Sequence, residues 1–419
     1  MSDREEHLPE DLLSFICDAI GAYSPTYHED AATTLFEHTA QSLGLTTRRD
    51  YVDATRYNLV IQASTRPAEI VLVGHLDTIA ATENHEPRAV IEDGRLYGLG
   101  AVDMKAACAL MLYALKLEAT GNPAAAVHLV VGEEEYGDGA AVSVARLSGE
   151  REAGGGASHS RKDEGGGGAS HSRRQDTTGG RAQGREHEGP LVVVGEPSAL
   201  QPCTEHFSYY EAHLTTRGTR VHAALPELGA NAVIAMLDWL SQLNTAISRR
   251  SDMVGNPRMI HGGSEEFLVP HICHSQVDIH SHPATGVREI ESLLTLASEQ
   301  EGVARNPEQP RGGESSHGLD FSFRRAFYSE GYALQSDDPR VSPLRTALHH
   351  CGGEWSPGAF RSHSDAPIYR AVGFPTVICG PGHLETAHTV DEHIGLADLS
   401  AGLALYRALI RTTCREYRR

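Results

Sequence analysis

The stretch IVLVGHLDT, residues 70–78, decides the fold. Its first four residues are apolar and β-favouring, and the chain then passes through Gly74 to deliver His75 and Asp77. An uninterrupted run of this kind fits a strand covered on both faces, as in a parallel sheet. The same arrangement recurs outward along the chain. Residues 127–131 lead through Gly132 into Glu133, Glu134 and Glu135. Residues 191–194 lead through Gly195 to Glu196, and residues 375–379 lead through a Gly-Pro-Gly to His388. Helical patterns lie between these runs. Residues 104–118 are apolar nearly all round, so a buried helix is expected there. Residues 399–412 place Leu399, Leu403, Tyr406 and Ile410 along one side, with Asp398 positioned to cap the helix. Strands alternating with helices give an α/β fold, a mixed and largely parallel sheet flanked by helices.

The middle of the chain has a different pattern. Residues 209–215 and 273–282 alternate, 230–247 and 287–298 are helical, and 319–332 alternate in part. Strands without continuous apolar runs indicate an α+β layer with one wet face. The division expected is a first domain of residues 1–205 plus 335–419, with a second, residues 206–334, inserted into it. Residues 151–189 are low in complexity, with GGGASHSR at 154–161 and again at 166–173. So little apolar material predicts a disordered surface insert, and its His159, His171 and His187 are read as solvated. Residues 301–318 have the same character.

The chain of 419 residues has a formal net charge of −20. That balance excludes the clustered positive excess a nucleic-acid partner requires. No apolar run reaches the roughly 18 residues of a spanning helix, so no membrane partner is expected. The acidic start lacks an apolar signal region, and the seven cysteines contain no CxxC. Both features fit a reducing cytoplasm and argue against a thiolate zinc knuckle.

Ligands of open α/β sheets bind beyond the carboxyl ends of the strands. Here four such ends each deliver an imidazole or a carboxylate. Asp103, just ahead of the buried helix, either caps that helix or points into the same crevice. Each piece alone has an ordinary reading: a strand-end His–Asp pair, a solvated glutamate run at a helix start, a plain cap, a turn before Pro197. Together they would place two histidines and at least three acids at one sheet edge. That many carboxylates repel one another unless divalent cations intervene. A mixed His/carboxylate set without thiolates suits zinc, with manganese or cobalt as alternatives.

At these residues the chain resembles the co-catalytic di-zinc amidohydrolases and peptidases. That family includes acetylornithine deacetylase, succinyl-diaminopimelate desuccinylase, aminoacylase and glutamate carboxypeptidase. The matching strings are GHLDT (74–78), LYGLGAVDMK (96–105), GEEEYG (132–137), GEPS (195–198) and GPGHLETAHTVDEH (380–393). The resemblance implies two divalent ions bridged by Asp103, with His75 and Glu196 on one and Glu135 and His388 on the other. It implies that Asp77 orients His75 and that Glu134 is the general base. With Gly137 taken to fix the register of the glutamate triplet, Glu134 and Glu135 are the functional pair. A shift of one makes them Glu133 and Glu134. It also implies that the inserted domain is a ferredoxin-like lid that forms a homodimer. In that lid, His222 binds the substrate carbonyl, in trans where the family's dimer applies, and Asn231 lies nearby. Where many members have Asp-Ile-Arg, this chain has Asp278-Ile279-His280.

The function so implied is hydrolysis of the amide bond of an N-acyl amino acid by a metal-bridged water. A carboxypeptidase or dipeptidase acting on short peptides is the alternative. A non-catalytic amino-acid-binding protein is the remote one, and it would be expected to lack one of the ligands or the base. A nucleotide site at Gly98-Leu99-Gly100 is set aside, because no GxGxxG follows the first strand.

Overall fold

The computed structural model describes residues 8–81, 88–149, 189–299 and 318–414. The two low-complexity inserts lie outside these residues except at their last positions, Gly189 and Gly318.

The principal sheet begins at one edge with the hairpin Thr46–Tyr51 and Tyr57–Gln62. It continues through Ala125–Val130, Ile70–His75, Leu191–Pro197 and Thr376–Gly380. These four central strands are mutually parallel. The far side, with Cys203–His206 and Tyr332–Ala333, returns to antiparallel pairing, and Gly358–Phe360 joins Cys203–His206 in parallel. The central strands are buried along their whole length, as their unbroken apolar runs require.

Alternate residues of these strands feed two cores. Leu72, Leu129, Val193 and Val377 pack toward the helices Glu10–Gly21, Lys105–Leu117 and Leu396–Arg411. Val71, Val73, Val192 and Ile378 pack on the other face with Val144 and Tyr369. The helix Lys105–Leu117 lies close to the sheet because Gly74 has no side chain: a Cβ there would sit 2.6 Å from Cys108 Sγ. The closing helix starts earlier than the sequence suggested. Its N-cap is Gly395, and Asp398 lies inside the first turn without a capping bond. There the carboxylate still favours the helix dipole.

A second sheet has the order Met253–Gly262, Ile272–Ser281, Ser208–Arg217, Asp320–Ser329, all antiparallel. The helices Ala232–Ser248 and Val287–Glu299 cover one face, burying Trp239, Leu243 and Leu294 against Tyr210 and Ile279. Strand–helix–strand–strand–helix–strand is the ferredoxin-like arrangement. Its edge strand Met253–Gly262 carried no sequence signal. It contains Gly255 and Pro257, is mostly exposed, and shifts register between Pro257 and Met259. Proline is tolerated at such an edge, where no inward ladder bond is lost. No helix of the described residues is long and apolar enough to cross a membrane.

Candidate metal centre

The donors converge at the carboxyl edge of the parallel strands. His75 ends its strand with Nε2 3.0 Å from Asp103 Oδ1. The other Asp103 oxygen lies 3.4 Å from His388 Nε2, which is 3.1 Å from Glu134 Oε1. Glu133 Oε2 and Glu196 Oε1 stand 3.8 and 3.9 Å from His75 Nε2. Asp103 therefore lies between the two imidazoles. It makes no cap bond to the following helix, whose N-cap is Met104. Between the two readings its sequence position allowed, the side chain takes the crevice.

One local contact and the carboxylates of Asp77 and Glu392 hold this geometry. The His75 Nδ1 lies 2.9 Å from the backbone carbonyl of Asp77, and the Asp77 carboxylate is 3.7 Å away. The orienting group for the imidazole is thus the Asp77 carbonyl. The Asp77 carboxylate turns the other way. It accepts the backbone N–H groups of Gly132, Glu133 and Glu134 at 3.0, 3.2 and 3.0 Å, and the Thr26 hydroxyl at 2.9 Å. Gly132 makes this possible by adopting φ +81°, a left-handed conformation open to glycine. Glu392 plays a similar part for Asp103. Its Oε1 accepts the N–H groups of Val102 and Asp103 at 3.1 and 3.3 Å.

The geometry of this loop separates the three adjacent glutamates. Glu133 and Glu134 face the cluster, and Glu135 is exposed at the lining of the cavity beside it. Gly137 is required by something else. It begins the helix Asp138–Leu147 at φ +65°, and a Cβ there would meet Asp365 Oδ1 at 2.7 Å.

The electrostatics fit divalent cations. Burial raises the Glu133 and Glu196 carboxyls well above the carboxylate range, and neighbouring acids add to the rise against the opposing charge of His75. Burial alone would lower His388, but its hydrogen bond to Glu134 and the charges of Glu134 and Asp103 lift it to about 9. Glu196 Oε1 is buried with no hydrogen-bond partner. Ligand atoms of His75, Asp103 and Glu134 lie within 4.8 Å of one another. Imidazole nitrogens and carboxylate oxygens at this spacing suit zinc, cobalt or manganese. The nearby Cys108 thiol is raised to about 12 by burial and stays protonated.

The cluster opens into a cavity of about 270 Å³ between the two sheets. Its far wall holds Tyr209, Glu211, Arg258, Asp278, His280 and His363, which the sequence reading left unassigned apart from the His280 departure. His222 and Asn231 do not line it. His222 is exposed, and Asn231 caps the helix Ala232–Ser248 by accepting the N–H groups of Val233 and Ile234. Arg361 is exposed and lies over the Phe207 ring.

A carboxylate–imidazole cluster at the carboxyl edge of a parallel sheet, under an α+β lid, defines a hydrolase of amide and peptide bonds built for metal. The family described as Peptidase family M20/M25/M40 matches residues 71–412, and the chain belongs to it. Over 404 residues it is 25% identical to acetylornithine deacetylase of Proteus mirabilis, covering 92% of this chain and 90% of that one. A protein of Aspergillus flavus named as a probable carboxypeptidase is 24% identical over 412 residues, 94% of this chain and 81% of that one. Among solved structures, a tripeptidase of Staphylococcus aureus has the same fold, with TM-score 0.71 at 17% identity over 98% and 99% of the two chains.

Proposed function

We propose that the chain is a metal-dependent deacylase that cleaves the amide bond of an N-acyl amino acid. The observation that carries this is the placement of Asp103 between His75 and His388, with Glu134 and Glu196 completing a donor set. In this reading the cluster would hold two divalent ions, zinc in preference to cobalt or manganese. His75 and Glu196 would serve one, His388 and Glu134 the other, and Asp103 would serve both. When bound, the ions supply Lewis-acid polarisation of the amide carbonyl and make water more acidic.

The chain's own residues do the rest. Glu133, buried beside His75, takes the proton of the attacking water and delivers it to the leaving nitrogen. Its elevated proton affinity suits a group that must hold the proton between those two steps. Asp77 fixes the loop that aims Glu133 and Glu134.

The inserted lid pairs two copies of the chain in a homodimer. Exposed Ile234 and Leu237 on its helix, beside the open edge strand Met253–Gly262, support that contact. His222, exposed on the lid of one copy, then serves the carbonyl oxygen in the other. Seven cysteines without a CxxC support a cytoplasmic location. Short peptides are the second reading, favoured by the carboxypeptidase relative.

A panel of N-acetyl amino acids, N-succinyl amino acids and dipeptides, assayed with each metal, tests the assignment. Turnover of N-acyl amino acids is expected. Turnover of dipeptides alone moves the chain to the peptidase reading, and no turnover of either removes the hydrolase reading. Mixing inactive Glu133→Gln with inactive His222→Ala tests the trans arrangement. Partial recovery of activity is expected, and none is expected if His222 acts within its own chain.

A further inference from the structure

The cavity has two walls of different chemistry. The inner wall carries the metal cluster and Glu135. The outer wall is built on the wet face of the lid sheet, where His280 pairs with Tyr209 and Asp278 with Glu211 across adjacent strands. The charges of this wall are matched within it. Arg258, the single lysine or arginine among the described residues lining the cavity, places Nε 3.0 Å from Asp278 and Nη2 3.4 Å from Glu211. The Tyr209 hydroxyl donates to Asp278 Oδ1 at 3.0 Å. On the other side of Glu211, His213 Nε2 lies 2.6 Å away, and Arg324 donates to His213 Nδ1 at 2.7 Å. An imidazole that accepts at Nδ1 and donates at Nε2 is neutral. Two carboxylates therefore face two guanidiniums, and this chain of groups carries no net charge.

Two imidazoles on the wall stand outside that chain. Both ring nitrogens of His363 are buried and make no hydrogen bond. His280 makes none among the described residues. Both rings pack on Tyr209, at centroid distances of 5.0 Å for His280 and 5.2 Å for His363, and Phe327 stands edge-on to His363 at 6.0 Å. The His363 loop is anchored, because the Ser364 hydroxyl donates to His206 Nε2 and accepts the Ala366 N–H. Burial lowers both imidazoles to about 4, so both are neutral at neutral pH. Among the described residues they share no third His, Cys, Asp or Glu donor close enough to hold a metal ion. Each neutral ring presents one N–H and one lone pair. The pair thus presents two donors and two acceptors on a surface without net charge. A carboxamide matches it, with an oxygen that accepts twice and an NH2 that donates twice. A carboxylate brings no donor, an ammonium brings no acceptor, and an alkyl group leaves the buried nitrogens unpaired.

We propose that the outer wall is a subsite for an uncharged carboxamide of the substrate, read by His280 and His363. The proposal rests on the deacylase reading above and narrows its substrate class. The preferred substrates are N-acyl amino acids that carry an amide, at the end of the side chain or in place of the α-carboxylate. Tyr209 and Phe327 flank the planar group.

The test measures kcat/KM in two arms. The first compares Nα-acetylglutamine with Nα-acetylglutamate and with Nα-acetylhomoleucine, which keeps the shape but puts methyl groups in place of the amide. The second compares Nα-acetylmethionine amide with Nα-acetylmethionine. A preference of roughly tenfold or more for the amide is expected in one arm, and that arm identifies where the carboxamide sits. In His363→Phe and in His280→Phe, which keep a ring and lose its nitrogens, the preference should fall about tenfold, mainly through KM. The ratio is taken within one variant, so a loss of folded protein does not alter it. Three results overturn the subsite and leave the deacylase reading intact: equal rates in both arms, a preference for the carboxylate, which would give the wall to Arg258, or an unchanged ratio in both variants. If no N-acyl derivative is turned over, the deacylase reading fails. Calorimetric binding to the metal-loaded protein then decides the subsite, with glutamine against glutamate and homoleucine, and methionine amide against methionine. Equal affinities, or tighter binding of the carboxylates, overturn it.

Discussion

Asp77 Oδ2 accepts the backbone N–H of Glu134 at 3.0 Å, across 57 positions of sequence. Together with the bonds from Gly132 and Glu133 to the other oxygen, this contact ties the end of one parallel strand to the loop after its neighbour. The loop carrying the two glutamates is thereby placed by a single carboxylate, while the backbone carbonyl of the same residue orients His75.

The register it sets can be checked directly. Glu133→Gln should keep both metals and lose about 10²–10⁴ in kcat, the range of a general base. Glu134→Ala should lose metal as well as activity, and Glu135→Ala should keep the full metal content. Elemental analysis beside kinetics on the three variants settles the pair. Retention of both ions by Glu134→Ala would sink this assignment.

Replacing Asp77 by alanine leaves three buried N–H groups without their acceptor. Metal affinity is expected to fall about 10–100-fold, as for groups that support a ligand from behind. Asp77→Asn should show a smaller loss, because its amide oxygen can still accept. Competition with a chromogenic chelator measures both.

Chelation should abolish activity, and zinc, cobalt or manganese should restore it. It should also lower the unfolding temperature. Asp103, Glu133, Glu134 and Glu196 face one another in a buried cluster, and a bound ion stabilises the folded state by roughly 3 kcal/mol at a hundredfold excess over its Kd. Calorimetric scans with and without chelator are the measurement, and an unchanged melting temperature would count against a bound ion.

His128 provides a pH test away from the cluster. It is buried on a central strand with Nδ1 2.8 Å from Ser143 Oγ, and burial lowers it to about 4. The unfolded chain binds this proton near the ordinary value of about 6.5, while the folded chain resists it until about pH 4. The stability His128 contributes is therefore present above about pH 6.5 and is lost as pH falls through the window to 4, a loss of roughly 3 kcal/mol. Denaturant titrations of the wild type and His128→Asn should converge across that window. Parallel curves would refute the assignment.

Much of this was legible in the chain. Residues 70–73, 127–131 and 191–194 declared buried parallel strands because both faces are covered and every position is apolar. The donors His75, Asp103, Glu196 and His388 were legible because each follows a strand or opens the buried helix. The edge strand Met253–Gly262 was hidden, since a strand facing solvent need not alternate. The outer wall was hidden too. Asp278 and His280 stood out only as a departure from the family's Asp-Ile-Arg and Glu211 not at all, until His363, more than 80 positions later, is seen against Tyr209.

The sequence by itself determined the α/β core and the donors at its strand ends, because burial and strand ends leave local marks in composition. Only the tertiary structure decided that Glu133 and Glu134 face the cluster while Glu135 faces solvent. Three adjacent, identical side chains carry no local difference. Their directions follow from the turn at Gly132 and from the grip of Asp77, which lies far away in the chain and becomes a neighbour only when the strands pair.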